Sequence, residues 1–215
     1  MASIVLYTYW RSSSSYRVRF ALSAKKIEYE SRTVNLATGE HKLDAHAARS
    51  PTGFVPCLVI DGKMVVESVA IIELVEDLFP DPPLFPRDPW ARARVRALVE
   101  VINAGTQPLQ NLSVLDHHSL EPEARKTWAC HFIARGLASF ERLMAIHEKE
   151  GIEGKYAHGD ALTAADVFLV PQMYNAQRFG VDLTKYPRAV AAAESALATD
   201  AAQLALPERQ PDFKG

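Results

Sequence analysis

Residues 4–22 read Ile4-Val5-Leu6-Tyr7-Thr8-Tyr9-Trp10-Arg11-Ser12-Ser13-Ser14-Ser15-Tyr16-Arg17-Val18-Arg19-Phe20-Ala21-Leu22. Ile4 to Tyr7 has the character of a short buried strand, and Val18, Ala21, Leu22 and Lys25 recur behind it at helical spacing. The hydroxyls between them stand where that helix begins. A strand feeding a helix through four consecutive serines gathers hydroxyls and unpaired backbone N–H groups at the positive end of the helix dipole. Such a place holds an anion. The same residues also read as a solvated turn with one capping serine.

Downstream, the first helix is expected to stop near Lys26 and Ile27 to Val34 to form a second strand, which makes a parallel strand–helix–strand crossover. Residues 35–50 are polar, carry Gly39, and read as a loop with a weak helix; His41 and His46 there are either ligand contacts or solvated surface. Apolar runs from Phe54 to Ile60 and from Met64 to Val66 flank Asp61-Gly62, the pattern of a tight hairpin. A helix is expected from Ser68 to about Phe79, with Ser68 as its cap and Glu67 facing the same opening as the serine run. Pro56 stands near the start of its strand, where a missing N–H is tolerated. A cis Val55-Pro56 bond would turn the Val55 backbone toward a ligand.

From Phe79 to Pro89 there are five prolines in eleven residues, so no helix continues and a domain linker is placed at 81–89. This divides the chain into domains 1–80 and 90–215. The second half reads as helical. Trp90 to Asn103 opens it, Gly105 and Pro108 interrupt, and Gln107, Gln110, Asn111 and Ser113 alternate with Leu109, Leu112, Val114 and Leu115. Pro122 starts a further long helix, with Cys130 as a small buried hydrophobe. Thr163 and Asp166 form a short-armed capping box for an apolar helix that reaches Phe179, with Arg178 at its end as either a solvated charge or an anion clamp. One more helix, Pro187 to Ala198, precedes a polar tail.

The 215 residues are 48% hydrophobic, enough for a sizeable core. A net charge of -2 without a basic tail favours neither nucleic acid nor an anionic membrane as partner. No apolar run reaches the roughly 20 residues that cross a bilayer, and the start lacks the pattern of a secretory signal. Two cysteines make neither a disulfide framework nor a metal cluster, which fits a cytoplasmic setting. Phosphate-loop, dinucleotide and zinc motifs are lacking, as is a nucleophilic-serine elbow.

The chain resembles the cytosolic glutathione transferases and, among them, the zeta class, whose members include maleylacetoacetate isomerases. The resemblance lies in Trp10 to Leu22, Val55-Pro56 with Asp61-Gly62, Glu67 to Glu73, Gln107 to Leu115, and Val170-Pro171-Gln172 with Asn175 to Phe179, and so covers nearly the whole chain. It implies a thioredoxin-like α/β domain that binds glutathione, followed by an all-helical domain on the substrate side. By the same resemblance Ser12 and Ser13 are the first serines of the zeta signature, and Pro56 is a cis-proline that presents Val55 to the cysteinyl part of glutathione. Glu67 and Ser68 hold the γ-glutamyl amine and carboxylate, Gln107 and Asn111 line the helical side, and His41 is a further glutathione contact. The zeta signature usually reads Ser-Ser-Cys-Ser; here Ser14 occupies the cysteine position.

The implied activity is glutathione-dependent cis/trans isomerisation of maleylacetoacetate by reversible thiolate addition. Ser13 would stabilise the thiolate with help from Ser12 and Ser14, and Arg11 and Arg178 would take the carboxylates of a small anionic cis-alkene. Maleylpyruvate isomerisation, conjugation or dehalogenation of small α-haloacids, and noncatalytic glutathione binding are the alternatives. The resemblance also implies a homodimer.

Overall fold

The computed structural model describes residues 3–214. The chain falls into two compact units, Met1–Pro83 together with Asp200–Gly215, and Leu84–Thr199. In the first, strand β1 (Ile4–Thr8), helix α1 (Ser13–Ala24) and strand β2 (Glu30–Thr33) form the crossover. A short α2 (Asp44–Ala47), the hairpin β3 (Cys57–Ile60) and β4 (Lys63–Val66), and α3 (Ser68–Leu78) follow. The sheet order is β2-β1-β3-β4, with β1 parallel to β2 and antiparallel to β3. This is the thioredoxin-like layer that the resemblance implies.

Local chemistry explains the boundaries. Lys26 adopts φ 57 and the Ile27 N–H returns to Leu22 O, so the chain is still reversing at Ile27 and β2 begins only at Glu30, later than the expected Ile27. Asp61 (φ 47) and Gly62 (φ 79) both take the left-handed conformation that a two-residue hairpin requires, and Ile60 pairs with Lys63 across them. Central β1 is flanked on both sides, and Leu6, Val18, Phe20, Leu22, Leu58, Ile71 and Ile72 are fully buried around it. The Lys25 ammonium is also buried, paired with Glu76 at 2.7 Å and donating to Phe79 O and Pro82 O, so the end of α1 is tied to the end of α3.

The second unit comprises α4 (Pro89–Asn103), α5 (Leu112–His118), α6 (Pro122–Lys149), α7 (Ala164–Phe179) and α8 (Pro187–Leu197). Asp88 caps α4 by accepting the Ala91 N–H at 2.7 Å, with Pro89 in the first turn where its missing N–H is harmless. Between α4 and α5 the chain makes a 3₁₀ turn, Gln107–Gln110, so Gly105 and Pro108 divide two helices. Helix α7 is the buried centre, and its start carries the capping box. Asp166 accepts the N–H groups of Thr163 (2.9 Å) and Ala157 (2.8 Å) and the Thr163 hydroxyl (3.1 Å).

The tail departs from a second domain that runs to residue 215. Residues 200–205 form α9 (Asp200–Ala205), and the segment from Asp200 onward packs with the first unit. The reason lies in Arg19. Its buried guanidinium donates to Ala205 O and also to Thr8 Oγ1, Tyr9 O and Trp10 O, which draws α9 onto the turn after β1. Among the described residues no helix is long and apolar enough to cross a membrane.

Candidate functional site

In the first unit, three chain reversals meet around the start of α1. At the first, Ser12 caps the helix: its Oγ accepts the Ser15 N–H at 3.2 Å. Ser13, the first helical residue, is buried and Ser14 half-buried, and neither side chain is engaged in a cap. The helix therefore begins with hydroxyls and unpaired N–H groups at its positive end. Arg11, just ahead, is exposed with its guanidinium 5.6 Å from the Trp10 ring centre.

At the second reversal the Val55-Pro56 bond is cis. Val55 is buried in one apolar cluster with Tyr7, Tyr9 and Cys57, and Trp10 packs on it, so this turn adjoins the one after β1. Among the described residues no backbone group pairs with the Val55 N–H or C=O. The preceding carbonyl is held instead: Phe54 O accepts from Ser50 Oγ at 2.8 Å and from His46 Nε2 at 3.0 Å, which requires the proton on Nε2. His46 is thus buried and structural, neither a ligand contact nor solvated surface. His41 is half-buried, and its Nδ1 is buried without a hydrogen-bond partner among the described residues; burial first, then Lys42 and His46, hold its pKa below the ordinary histidine value. Cys57 donates to Arg49 O, and burial pushes its thiol up, which disfavours the thiolate.

The third reversal leads into α3. Glu67 has φ 70 and ψ 122, a strained conformation for a residue with a Cβ, and strain of this kind concentrates at functional sites. Glu67 takes the cap position, so Ser68 does not cap α3 as expected; it is the first helical residue, and its Oγ accepts from Arg17 Nη1 at 3.3 Å. The backbone geometry of Glu67 moves the cap by one residue. Arg17 and Arg19 escape a reading of the sequence for site residues. The available signal was two arginines within the apolar run Val18-Phe20-Ala21-Leu22.

In the helical unit, Gln107 Nε2 donates to Asn111 Oδ1 at 2.5 Å, so these two expected site residues are one pair at the turn between α4 and α5. Beside them Gln110 Nε2 donates to Gln172 Oε1 at 2.8 Å, which links that turn to α7, and Trp128 Nε1 donates to Leu109 O. Arg178 lies exposed in the last turn of α7 with its guanidinium 4.8 Å from the Phe179 ring centre. Cys130 is half-buried and donates to Phe179 O at 3.0 Å.

Comparison with known proteins identifies the fold and the family. Residues 2–77 match the family model "Glutathione S-transferase, N-terminal domain". The maleylacetoacetate isomerase of Pseudomonas aeruginosa is 42% identical over 213 residues, covering 96% of this chain and 97% of its own. The chain belongs to the zeta-class glutathione transferase and maleylacetoacetate isomerase family. Among solved members, a maleylpyruvate isomerase described as a bacterial zeta-class enzyme superposes with a TM-score of 0.94 at 37% identity, covering 98% of this chain and 100% of its own. The maleylacetoacetate isomerase of Anaeromyxobacter dehalogenans 2CP-1, solved with glutathione in its active site, is 46% identical with a TM-score of 0.87, covering 98% of each chain.

Proposed function

We propose that this zeta-class protein is a glutathione-dependent cis/trans isomerase acting on maleylacetoacetate. The observation that carries the reading is the set of polar groups with hydrogen-bonding capacity to spare around the start of α1: the Val55 backbone before a cis proline, the Ser13 hydroxyl, and the proton of the Ser68 hydroxyl beside a strained Glu67. They match the demands of a short peptide thiol. An extended backbone pairs with Val55, an amine meets the Glu67 carboxylate, a carboxylate meets Ser68, and a sulfur meets the Ser13 hydroxyl and the helix end. Gln107, Asn111 and His41 supply further contacts in this proposal.

When bound, glutathione supplies a thiolate that adds reversibly to a conjugated cis double bond, so that the bond rotates before the sulfur leaves. Ser13 favours the charged sulfur by donating a hydrogen bond at the positive end of α1, with Ser12 and Ser14 beside it. Ser14 in place of the family cysteine removes a second thiol without removing this donor. Arg11 and Arg178, both exposed cations, take the substrate carboxylates. Two free cysteines accord with a cytoplasmic enzyme, and family membership with a homodimer.

Maleylpyruvate is the second substrate to test, because the 0.94 superposition is with a maleylpyruvate isomerase. The deciding experiment measures isomerisation of both acids by the purified protein, with and without glutathione. Glutathione-dependent turnover with the higher kcat/KM for maleylacetoacetate is expected. Preference for maleylpyruvate would transfer the reaction to the shorter acid, and no turnover of either despite glutathione binding would overturn the isomerase reading in favour of haloacid chemistry or binding alone.

A further inference from the structure

Ser68 is 3% exposed, yet among the described residues its side chain makes a single hydrogen bond, as acceptor from Arg17 Nη1 at 3.3 Å. Arg17 is 1% exposed and comes from α1, 51 residues earlier. A hydroxyl carries one proton and two acceptor sites, whereas a guanidinium only donates and stays charged at every pH the fold survives. The bond therefore has one possible direction. Arg17 occupies an acceptor site of Ser68 Oγ from beneath, and the serine proton is left to point elsewhere.

We propose that Arg17 is a positioning residue that makes Ser68 a committed donor to an anionic ligand group. This rests on the glutathione reading, in which that group is the γ-glutamyl carboxylate. Arg17 contributes without touching the ligand. It excludes the orientation in which the Ser68 proton would turn inward toward α1, and its charge polarises the O–H toward the acceptor. A residue that merely packed α1 against α3 would govern stability and leave ligand affinity independent of what stands at position 68.

The test is a double-mutant cycle read as glutathione Kd by calorimetry, on the full chain and below each variant's thermal midpoint. Arg17→Gln keeps a polar side chain but adds an acceptor, so the Ser68 proton can turn inward; Arg17→Lys keeps a donor-only cation. R17Q is expected to raise Kd about tenfold, and less than about twofold in the Ser68→Ala background, with R17K recovering most of the loss. Arg17→Met enters the same cycle if R17Q fails to fold. Equal losses in both backgrounds, or no loss with Ser68 present, would overturn the proposal. A wild-type protein that binds no glutathione would instead overturn the reading beneath it.

Discussion

The Asp212 carboxylate accepts the backbone N–H of Trp10 at 3.0 Å, and the Trp10 ring meets Phe213 edge-on at 4.9 Å. Arg19 holds the other side of the same turn, through Tyr9 O and Trp10 O, while also bonding Ala205 O. The segment two residues before the serine cap is thus clamped by the C-terminal segment of the chain. Asp212→Ala is expected to remove about 1 kcal/mol, lowering the thermal midpoint by about 2–4 °C. If the clamp also sets the serine geometry, kcat/KM with glutathione falls several-fold while Phe213→Leu, which keeps apolar bulk, stays near wild type. Scanning calorimetry and steady-state rates check both.

The carboxyl of Asp166 is pushed up to about 6 by burial, which outweighs the three hydrogen bonds it accepts. Its unfolded value is the ordinary 3.8, so the folded state binds the proton more tightly. A raised folded pKa contributes stability that is complete below about pH 4 and lost as pH rises through about 6. The shift is worth about 3 kcal/mol. Urea unfolding from pH 4 to 7 should therefore show the wild-type protein losing stability relative to Asp166→Asn, which cannot titrate. Parallel curves for the two proteins would refute this.

Local elements were legible in the sequence where one residue type has one physical outlet. Asp61-Gly62 supplied the positive-φ pair that a hairpin needs, and the Val55-Pro56 site and the serine cap lay within a few residues of the elements they serve. Partners distant in the chain decided the rest. Nothing near Ser68 reveals that Glu67 takes φ 70 and that Arg17 meets the hydroxyl, nothing near His46 points to Phe54 O, and the fate of α9 depends on an arginine 186 residues earlier. Alanine-rich 200–205 also has too little pattern of its own to announce a helix.

Gly136 of α6 faces the turn that leads to Gln107. A Cβ there would overlap Thr106 Oγ1 and lie 2.8 Å from Thr106 Cγ2. Thr106 is fully buried with its hydroxyl bonded to Val101 O at 2.7 Å, so it has no easy retreat. Gly136→Ala should destabilise by about 1–3 kcal/mol despite the better helix propensity of alanine. Thr106→Ala in the same chain should recover part of the loss. Additive effects in chemical denaturation would show that the two residues do not meet.

The serine run separates folding from chemistry at adjacent positions. Ser12 Oγ is engaged by the Ser15 N–H, so Ser12→Ala should act through the helix start and destabilise by about 1 kcal/mol. Ser13 caps nothing, so Ser13→Ala should leave the thermal midpoint within about 1–2 °C yet lower kcat about a hundredfold, the scale of one lost donor to a developing charge. The signature that isolates this role is the ultraviolet absorbance of bound thiolate followed against pH. Without the Ser13 hydroxyl the thiolate loses a stabilising bond that the thiol does not need, so its absorbance should appear about one pH unit higher. Ser14→Cys, which restores the usual zeta residue, should leave that titration in place. Were Ser14→Cys to move it and Ser13→Ala not, the thiolate partner would be the residue at position 14.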